Sequence, residues 1–482
     1  EQYLRFLLGV APRGLHRTYL VDPTRVDLAN RRGPSTGAAC LLCAGAVASM
    51  AVRILLLRRG VEAAPVHHHY DAYRQRYVAT RLRRGNDGPL QRLKLAVVRR
   101  QFRAALAAVR PPEPAAPPQT GALHAIVESA RWAPSGDNVQ PWRFQLYEPD
   151  RVRVVFDAFD PANPYEYRGG EPTRLSAGML LEALRISGTL HGRAMEWQLV
   201  DPAADPPVVE TRFVASRDVE PDPLYAVLPL RTTDRRPYRR RPLLPRERAT
   251  LESALGPELR LTWYEGARSQ WEFARLSALA TRLRLRLPAA YEVHRRIVDW
   301  TPGDSAIGIP AAATGMWRPT LPLMHWAMRD WSRMQWLNRL GGAHSAALQL
   351  DWAQAFGCAA FFTVALPAGG ARDPVALLRI GGRLLRFWLA ATRLGLAVQP
   401  GLAMLMFAHY GATGAPFTRD ARLLREAVRC HERLRALVGA DAGQLVFVGR
   451  IGEPRDAPVR SRSVRRSVPE LLQPADDVAP GA

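Results

Sequence analysis

The sequence predicts an α+β fold whose long segment, residues 121–455, carries the marks of two related halves. Three observations point there. Helix-spaced and strand-alternating stretches are interleaved along that segment. One glycine-bearing helical pattern occurs twice at a constant offset. A proline-rich run at residues 111–120 separates the segment from what precedes it.

The elements follow in order. Leu123, Ile126, Val127 and Ala130 share one face of a helix over 122–132. Pro141 disfavours helix at Gln140, so a strand is expected after Trp142, and a second over 151–156. Residues 176–191 read as a helix stopped at Gly192, followed by a strand over 208–214. Helices are expected over 247–255, 269–285, 290–298 and 380–394, and strands over 361–366 and 445–451. The repeated pattern is Gly178-x-x-Leu181…Ile186…Thr189-x-x-Gly192 against Gly381-x-x-Leu384…Leu389…Thr392-x-x-Gly395. The tail 456–482 is rich in Arg, Ser and Pro and reads as a disordered basic segment. The aromatic and methionine-rich stretch 300–342 reads as core packing, with a cap over a site as the alternative.

The bulk properties exclude several classes. A chain of 482 residues with 47% hydrophobic content has a large core available. The net charge of +23 comes from scattered arginines, Lys94 being the lone lysine, with no single basic element interleaved with aromatics. Nucleic acid is therefore not an expected partner. Cys40, Cys43, Cys358 and Cys430 are too few for a disulfide scaffold, and Cys40-x-x-Cys43 lacks the second pair of a zinc site. These thiols are expected to be buried and inert. His67-His68-His69 sit in a strand or turn where neighbours point to opposite faces, so no metal site is expected. Residues 37–57 carry one charge, Arg53, and about 20 apolar residues can span a bilayer. A packed soluble helix is the preferred reading, and no membrane partner is expected. No cleavable secretion signal is visible, so a cytoplasmic location is expected; the opening Glu1-Gln2-Tyr3 reads as a start within a longer protein.

Two loops carry the chemistry. Ala133-Pro134-Ser135-Gly136-Asp137-Asn138-Val139-Gln140-Pro141-Trp142 combines small residues, two side-chain amides and an aromatic, a composition able to wrap a flat polar-edged ring. Arg231-Thr232-Thr233-Asp234-Arg235-Arg236 sets guanidinium forks beside hydroxyls, which suits a phosphate.

The first loop closely resembles the flavin loop of the nitroreductase family, Pro-Ser-x-x-Asn-x-Gln-Pro-Trp. The second resembles that family's Arg-Arg-Ser-x-Arg phosphate segment, although here it follows the Pro-Ser loop instead of preceding it. That order is similar to the Acg-like branch, in which two nitroreductase-like halves are fused. Gly395-Leu396-Ala397-Val398-Gln399-Pro400-Gly401 and Gly449-Arg450-Ile451-Gly452-Glu453-Pro454 resemble two further family segments. The resemblance covers about residues 121–455. It implies a nitroreductase-like, internally duplicated pseudo-dimer binding FMN through Pro134, Ser135, Asn138, Gln140, Arg231, Thr232, Thr233, Arg235, Pro400 and Arg450. An Arg of the 231–236 loop is expected beside the N1–C2=O edge of the ring. Hydride transfer demands no acid–base residue, so no catalytic His or carboxylate is nominated.

Residues 1–110 resemble the C-terminal part of a ThiF-type adenylyltransferase, through Phe6-Leu7-Leu8-Gly9-Val10-Ala11-Pro12, Gly33-Pro34-Ser35-Thr36-Gly37-Ala38-Ala39-Cys40 and Tyr70-Asp71-Ala72-Tyr73-Arg74. This implies an α/β fragment without its ATP-binding glycine loop. The expected organisation is thus 1–110 ThiF-type, 111–120 linker, 121–455 FMN domain and 456–482 tail. The expected function is an FMN-dependent oxidoreductase passing electrons from NAD(P)H to a small-molecule acceptor, a nitroaromatic or quinone. Alternatives are a flavin-storage protein without turnover and a redox partner domain of a ThiF-type modifying enzyme. The assembly expected is a monomeric pseudo-dimer or a homodimer.

Overall fold

The computed structural model describes residues 37–58, 66–71, 75–81, 88, 121–201, 207–455 and 461–474. The chain divides into two units, Glu1–Pro114 and Ala115–Ala482. The Pro-rich run 111–120 lies outside the described residues.

In the first unit, a helix spans Gly37–Leu55, and β1 (Val66–Asp71) pairs antiparallel with β2 (Arg76–Arg81). The His triplet lies in β1, and His68 Nδ1 is 2.5 Å from the Tyr77 hydroxyl. Among the described residues no group of three or more candidate ligands is gathered for a metal. No described helix is long and apolar enough to cross a membrane. The expectation of a packed helix is not met among the described residues: Leu41, Val47 and Leu55 are exposed, and so is Cys43, expected buried. Apolar composition does not by itself supply a covering surface.

The second unit contains two four-stranded antiparallel sheets built to one plan. The first half runs helix Ala122–Ala130, β3 (Trp142–Tyr147), β4 (Arg151–Phe156), helix Tyr167–Leu190, β5 (Arg193–Leu199) and β6 (Val208–Ala215). Its sheet order is β3-β4-β6-β5. The second half runs helix Pro245–Leu255, β7 (Arg260–Tyr264), β10 (Ala360–Ala365), helix Pro374–Arg393, β11 (Ala397–Pro400) and β12 (Leu445–Gly452). Its order is β7-β10-β12-β11, the same path through the same sequence of elements. Two connections differ. β3 and β4 join through residues 148–150, whereas residues 265–359 lie between β7 and β10. That insertion includes helices Gly266–Arg286 and Pro288–Ile297 and a short parallel pair, β8 (Val298–Asp299) and β9 (Ile309–Pro310). Helices Leu402–Thr413 and Ala421–Val438 separate β11 from β12.

The two long central helices, Tyr167–Leu190 and Pro374–Arg393, pack on each other at the echoed glycines. A Cβ on Gly178 would stand 2.0 Å from the Leu378 carbonyl oxygen, and one on Gly381 would stand 2.2 Å from that of Leu175. The offset separating the glycines also separates the two leucines. Each glycine therefore admits the backbone of the opposite helix, and the pair of contacts is reciprocal, as about a two-fold axis. Both helices begin earlier than their spacing predicts. Asp373 caps the second, its carboxylate accepting from Ala376 N, with Pro374 in the first turn. Ion pairs tie the halves together across these helices. Arg386 meets Glu182 at 2.9 Å and Asp222 at 2.7 Å.

Residues 461–474, expected to be disordered, are instead packed on the first half. Phe144 in β3 forms a parallel bridge with Leu472, and Gln473 N donates to Phe144 O at 2.9 Å. Ser467 and Glu470 close a capping box on the short helix Val468–Leu471, whose two end residues are buried. Apolar Val468 and Leu471 anchor a stretch whose Arg-rich composition alone reads as unfolded.

Candidate functional site

The two halves and the insertion enclose a cavity of about 580 Å³. Pro134, Ser135, Asn138, Arg231, Thr232, Thr233, Arg235 and Pro400 all line it, so two loops far apart in sequence and the end of β11 meet there. Met179, Trp388, Met404 and Phe447 supply apolar wall.

The 133–142 loop holds an unusual backbone. Asp137, Asn138 and Gln140 all have positive φ, at 49°, 59° and 52°. Each non-glycine residue so placed costs on the order of 1 kcal/mol, and such strain persists only where surrounding contacts over-determine it. The two amides supply those contacts. Asn138 Nδ2 donates to Ala306 O, Gly308 O and Val464 O at 3.1–3.2 Å. Gln140 Nε2 donates to Ala306 O at 2.8 Å, while Gln140 Oε1 accepts from Arg466 N at 2.9 Å. Insertion and tail thus pin the loop from behind.

Two of the residues named from sequence lie outside the cavity lining. Gln140 is fully buried within this network and does not line the cavity. Arg450 is also held elsewhere. It donates to Gln399 Oε1 at 2.7 Å and to Arg236 O at 2.8 Å, with its guanidinium 4.0 Å over the Tyr238 ring. Both residues brace the site: one satisfies strained loop backbone, the other joins β12 to the 231–236 loop.

The polar lining falls into two groups. The first is cationic. Arg231 is only 6% exposed and, among the described residues, forms no ion pair and leaves Nε and Nη1 without a hydrogen-bond partner. Its guanidinium lies 4.6 Å over the Trp388 ring. Burial, with Arg462 nearby, pulls its pKa down to about 9. Arg465 is also buried and held well below the ordinary range by burial and by Arg231, Arg462 and Arg131. Arg465 spends its donors on the carbonyls of Ala133, Trp132, Ser463 and Val464, but Arg462 keeps Nε free. Asp304 offsets part of the charge on Arg462, but burying neighbouring cations with so little counter-charge is strongly unfavourable. The arrangement is one an anion would complete, and Thr232, Thr233 and Ser463 place hydroxyls in the same lining.

The tail residues Arg462, Ser463 and Arg465 were missed by sequence reasoning. The signal was present: Arg462-Ser463-Val464-Arg465 sets two guanidinium groups around a hydroxyl, the composition that marks the 231–236 loop.

The second group contains Asp137, Arg235 and Arg284, with Tyr165, Glu166, His294, Ser277 and Asp351. Burial raises the pKa of Asp137 against the pull of Arg235 and Arg284. Arg235 feels Asp137 and Arg284, whereas Arg231 feels Arg462. Tyr165 and His294 share a hydrogen bond of 2.8 Å, and burial holds the imidazole down to about 3, so the ring is neutral. The stretch 300–342 divides between the two readings, since Met328 and Met334 are buried in a small core packed against Trp300, Met324 and Trp331. Met316, Met324, Met328 and Trp300 line the cavity, while Trp317, Trp326 and Trp336 are exposed.

No family model matches the chain, and no curated protein matches it. A solved structure of the FMN-dependent nitroreductase NfnB from Mycobacterium smegmatis, in complex with NADPH, is similar at 15% identity. The likeness covers 52% of this chain and 96% of that one, with a TM-score of 0.27. At that score it carries no argument. None of the comparisons bears on a ThiF-type reading of residues 1–110.

Proposed function

We propose that the cavity holds one FMN per chain and that the protein is a flavin-dependent oxidoreductase, drawing on NAD(P)H to reduce a small acceptor such as a nitroaromatic or quinone. The observation that carries the reading is the unneutralised arginine group. Arg231 Nε and Nη1 and Arg462 Nε are buried donors without partners, which fits a phosphate. Thr232 and Thr233 fill its remaining lone pairs, while the Ser463 hydroxyl donates to Gly308 O. Pro134, Val139 and Pro400 face the flat ring, with Met179 and Met406 from the helices below. Arg235 takes the place expected beside the N1–C2=O edge, where a cation favours reduced, anionic flavin. When bound, FMN supplies hydride transfer; the protein grips the tail, orients the ring and excludes water.

One flavin is proposed because the halves differ where it matters. The first half's helix and β3 are joined by the strained loop. Their counterparts in the second half are joined by Gly256-Pro257-Glu258-Leu259, which offers no side-chain amide or hydroxyl.

Reconstitution with FMN followed by anaerobic NADH or NADPH tests the activity. Bleaching of the yellow colour and its return with a nitroaromatic or quinone supports the oxidoreductase. A yellow protein that no reductant bleaches supports the storage reading, which the enclosing insertion favours. A chain that takes up no FMN contradicts both.

A further inference from the structure

The duplicated plan isolates what was added to it. Residues 265–359 have no counterpart between β3 and β4, yet they give the cavity Ser277, Thr281, Arg284, His294 and Asp351. We propose that this insertion builds a recognition subsite for a neutral planar group presenting a hydrogen-bond donor and acceptor together, a primary carboxamide being the simplest, with Asp351 and Arg284 as its specificity-determining residues. The proposal rests on the flavin reading only in assigning the remainder of the cavity to FMN.

Asp351 is 6% exposed. Its Oδ1 accepts from the Ser277 hydroxyl at 2.5 Å, the Thr281 hydroxyl also acts on the carboxylate, and its Oδ2 keeps no hydrogen bond among the described residues. Arg284 Nε is likewise buried without a partner, while the Tyr165 hydroxyl engages the same guanidinium. A buried polar atom left unsatisfied costs about 1–3 kcal/mol. The two groups influence each other electrostatically but form no ion pair, so each stays open to the cavity.

The surroundings select a neutral ligand. A carboxylate would meet Asp351, Glu166 and Asp137; an ammonium would meet Arg284 and Arg235. A carboxamide can donate to Asp351 Oδ2 and accept from Arg284 Nε. Burial raises the Asp351 pKa against the pull of Arg284, Ser277 and Thr281. Two sources share this chemistry: the dihydronicotinamide of the reductant, and an amide-bearing acceptor.

The test is calorimetric binding of benzamide, benzoate and toluene to the full chain, with and without FMN. Benzamide should bind at least about tenfold tighter than either analogue. Asp351→Ala should abolish that preference with FMN uptake unchanged and the thermal midpoint no lower, since the variant removes a costly buried group. Asp351→Asn should keep most of the preference. Benzamide binding no better than toluene overturns the proposal. So does an Asp351→Ala variant that keeps the preference, or one that loses it together with thermal stability, which would mark a structural role. A chain that discriminates benzamide but takes up no FMN leaves the subsite standing and removes the flavin reading. The source follows from two further arms. A rise of about tenfold in the NADH needed for half-reduction of Asp351→Ala places the reductant's amide there. An unchanged NADH requirement with a lost preference for 4-nitrobenzamide over nitrobenzene places the acceptor there.

Discussion

Replacing Arg231 with methionine should stabilise the ligand-free protein and cripple it as a flavin carrier. The guanidinium is buried, unpaired and beside Arg462, and its pKa is drawn down to about 9 from 12.5. A drop of that size corresponds to on the order of 5 kcal/mol of unfavourable burial at neutral pH. Exchange of buried charge for an apolar side chain of similar volume commonly returns about 1–4 kcal/mol. Thermal denaturation of the flavin-free variant should therefore show a midpoint several degrees above wild type. Flavin binding should move the other way. Losing a charge-assisted hydrogen bond to phosphate costs about 1.5–3 kcal/mol, roughly 10- to 150-fold in Kd. Fluorescence titration with FMN reads this, and riboflavin, which lacks the phosphate, should bind both proteins alike. The sign of the wild-type pH dependence is also fixed. The folded pKa lies below the unfolded one, so the penalty is complete below pH 9 and fades as pH rises toward 12.5. A variant that melts lower than wild type and binds FMN as well as wild type would refute the reasoning, because Arg231 would then be a structural residue satisfied within the fold.

His294 should shape the acid limb of stability. The folded ring takes up its proton only near pH 3, the unfolded ring near 6.5, so stability falls as pH drops between those values, and His294→Gln should reduce the slope by up to about 1.4 kcal/mol per pH unit; equal slopes in urea titrations of the two proteins would count against it. Gly178→Ala should cost more than about 3 kcal/mol, because its Cβ meets a backbone carbonyl that cannot rotate away, whereas Gly443→Ala, with open space around it, should stay within about 0.5 kcal/mol. Ending the chain at residue 455 removes Arg462, Ser463 and Arg465 and uncovers β3, so FMN should be lost on gel filtration while the full chain retains it.

Much of this was legible from local pattern. The echo of Gly178 and Gly381 marks a helix crossing, because only glycine lets two backbones approach so closely, and a repeated requirement leaves a repeated residue. The two loops were recognisable because anion and ring binding need specific side chains at short spacing, and eight of the ten residues named from sequence line one cavity. The roles of Gln140 and Arg450 were not legible. Both are polar residues in the right segments, but their donors are spent on Ala306 and Gln399, so neither residue lines the cavity. The tail was misread because its composition is that of an unfolded chain; two buried residues, Val468 and Leu471, and a sheet edge to pair with were enough to order it. Strand β5, with a mixed burial pattern, and strand β7, partly buried throughout, lack the clean alternation that marks β4, so they escaped notice.

The central claim is that a strained loop from one half and arginines from distant segments close on a single flavin. Its most direct measurement is the flavin-to-protein ratio of the full chain after saturation with FMN and gel filtration, read from the visible absorption spectrum. One FMN per chain is expected, lost in the Arg231→Ala/Arg462→Ala double variant. A wild-type chain that emerges colourless, or a double variant as yellow as wild type, would contradict it.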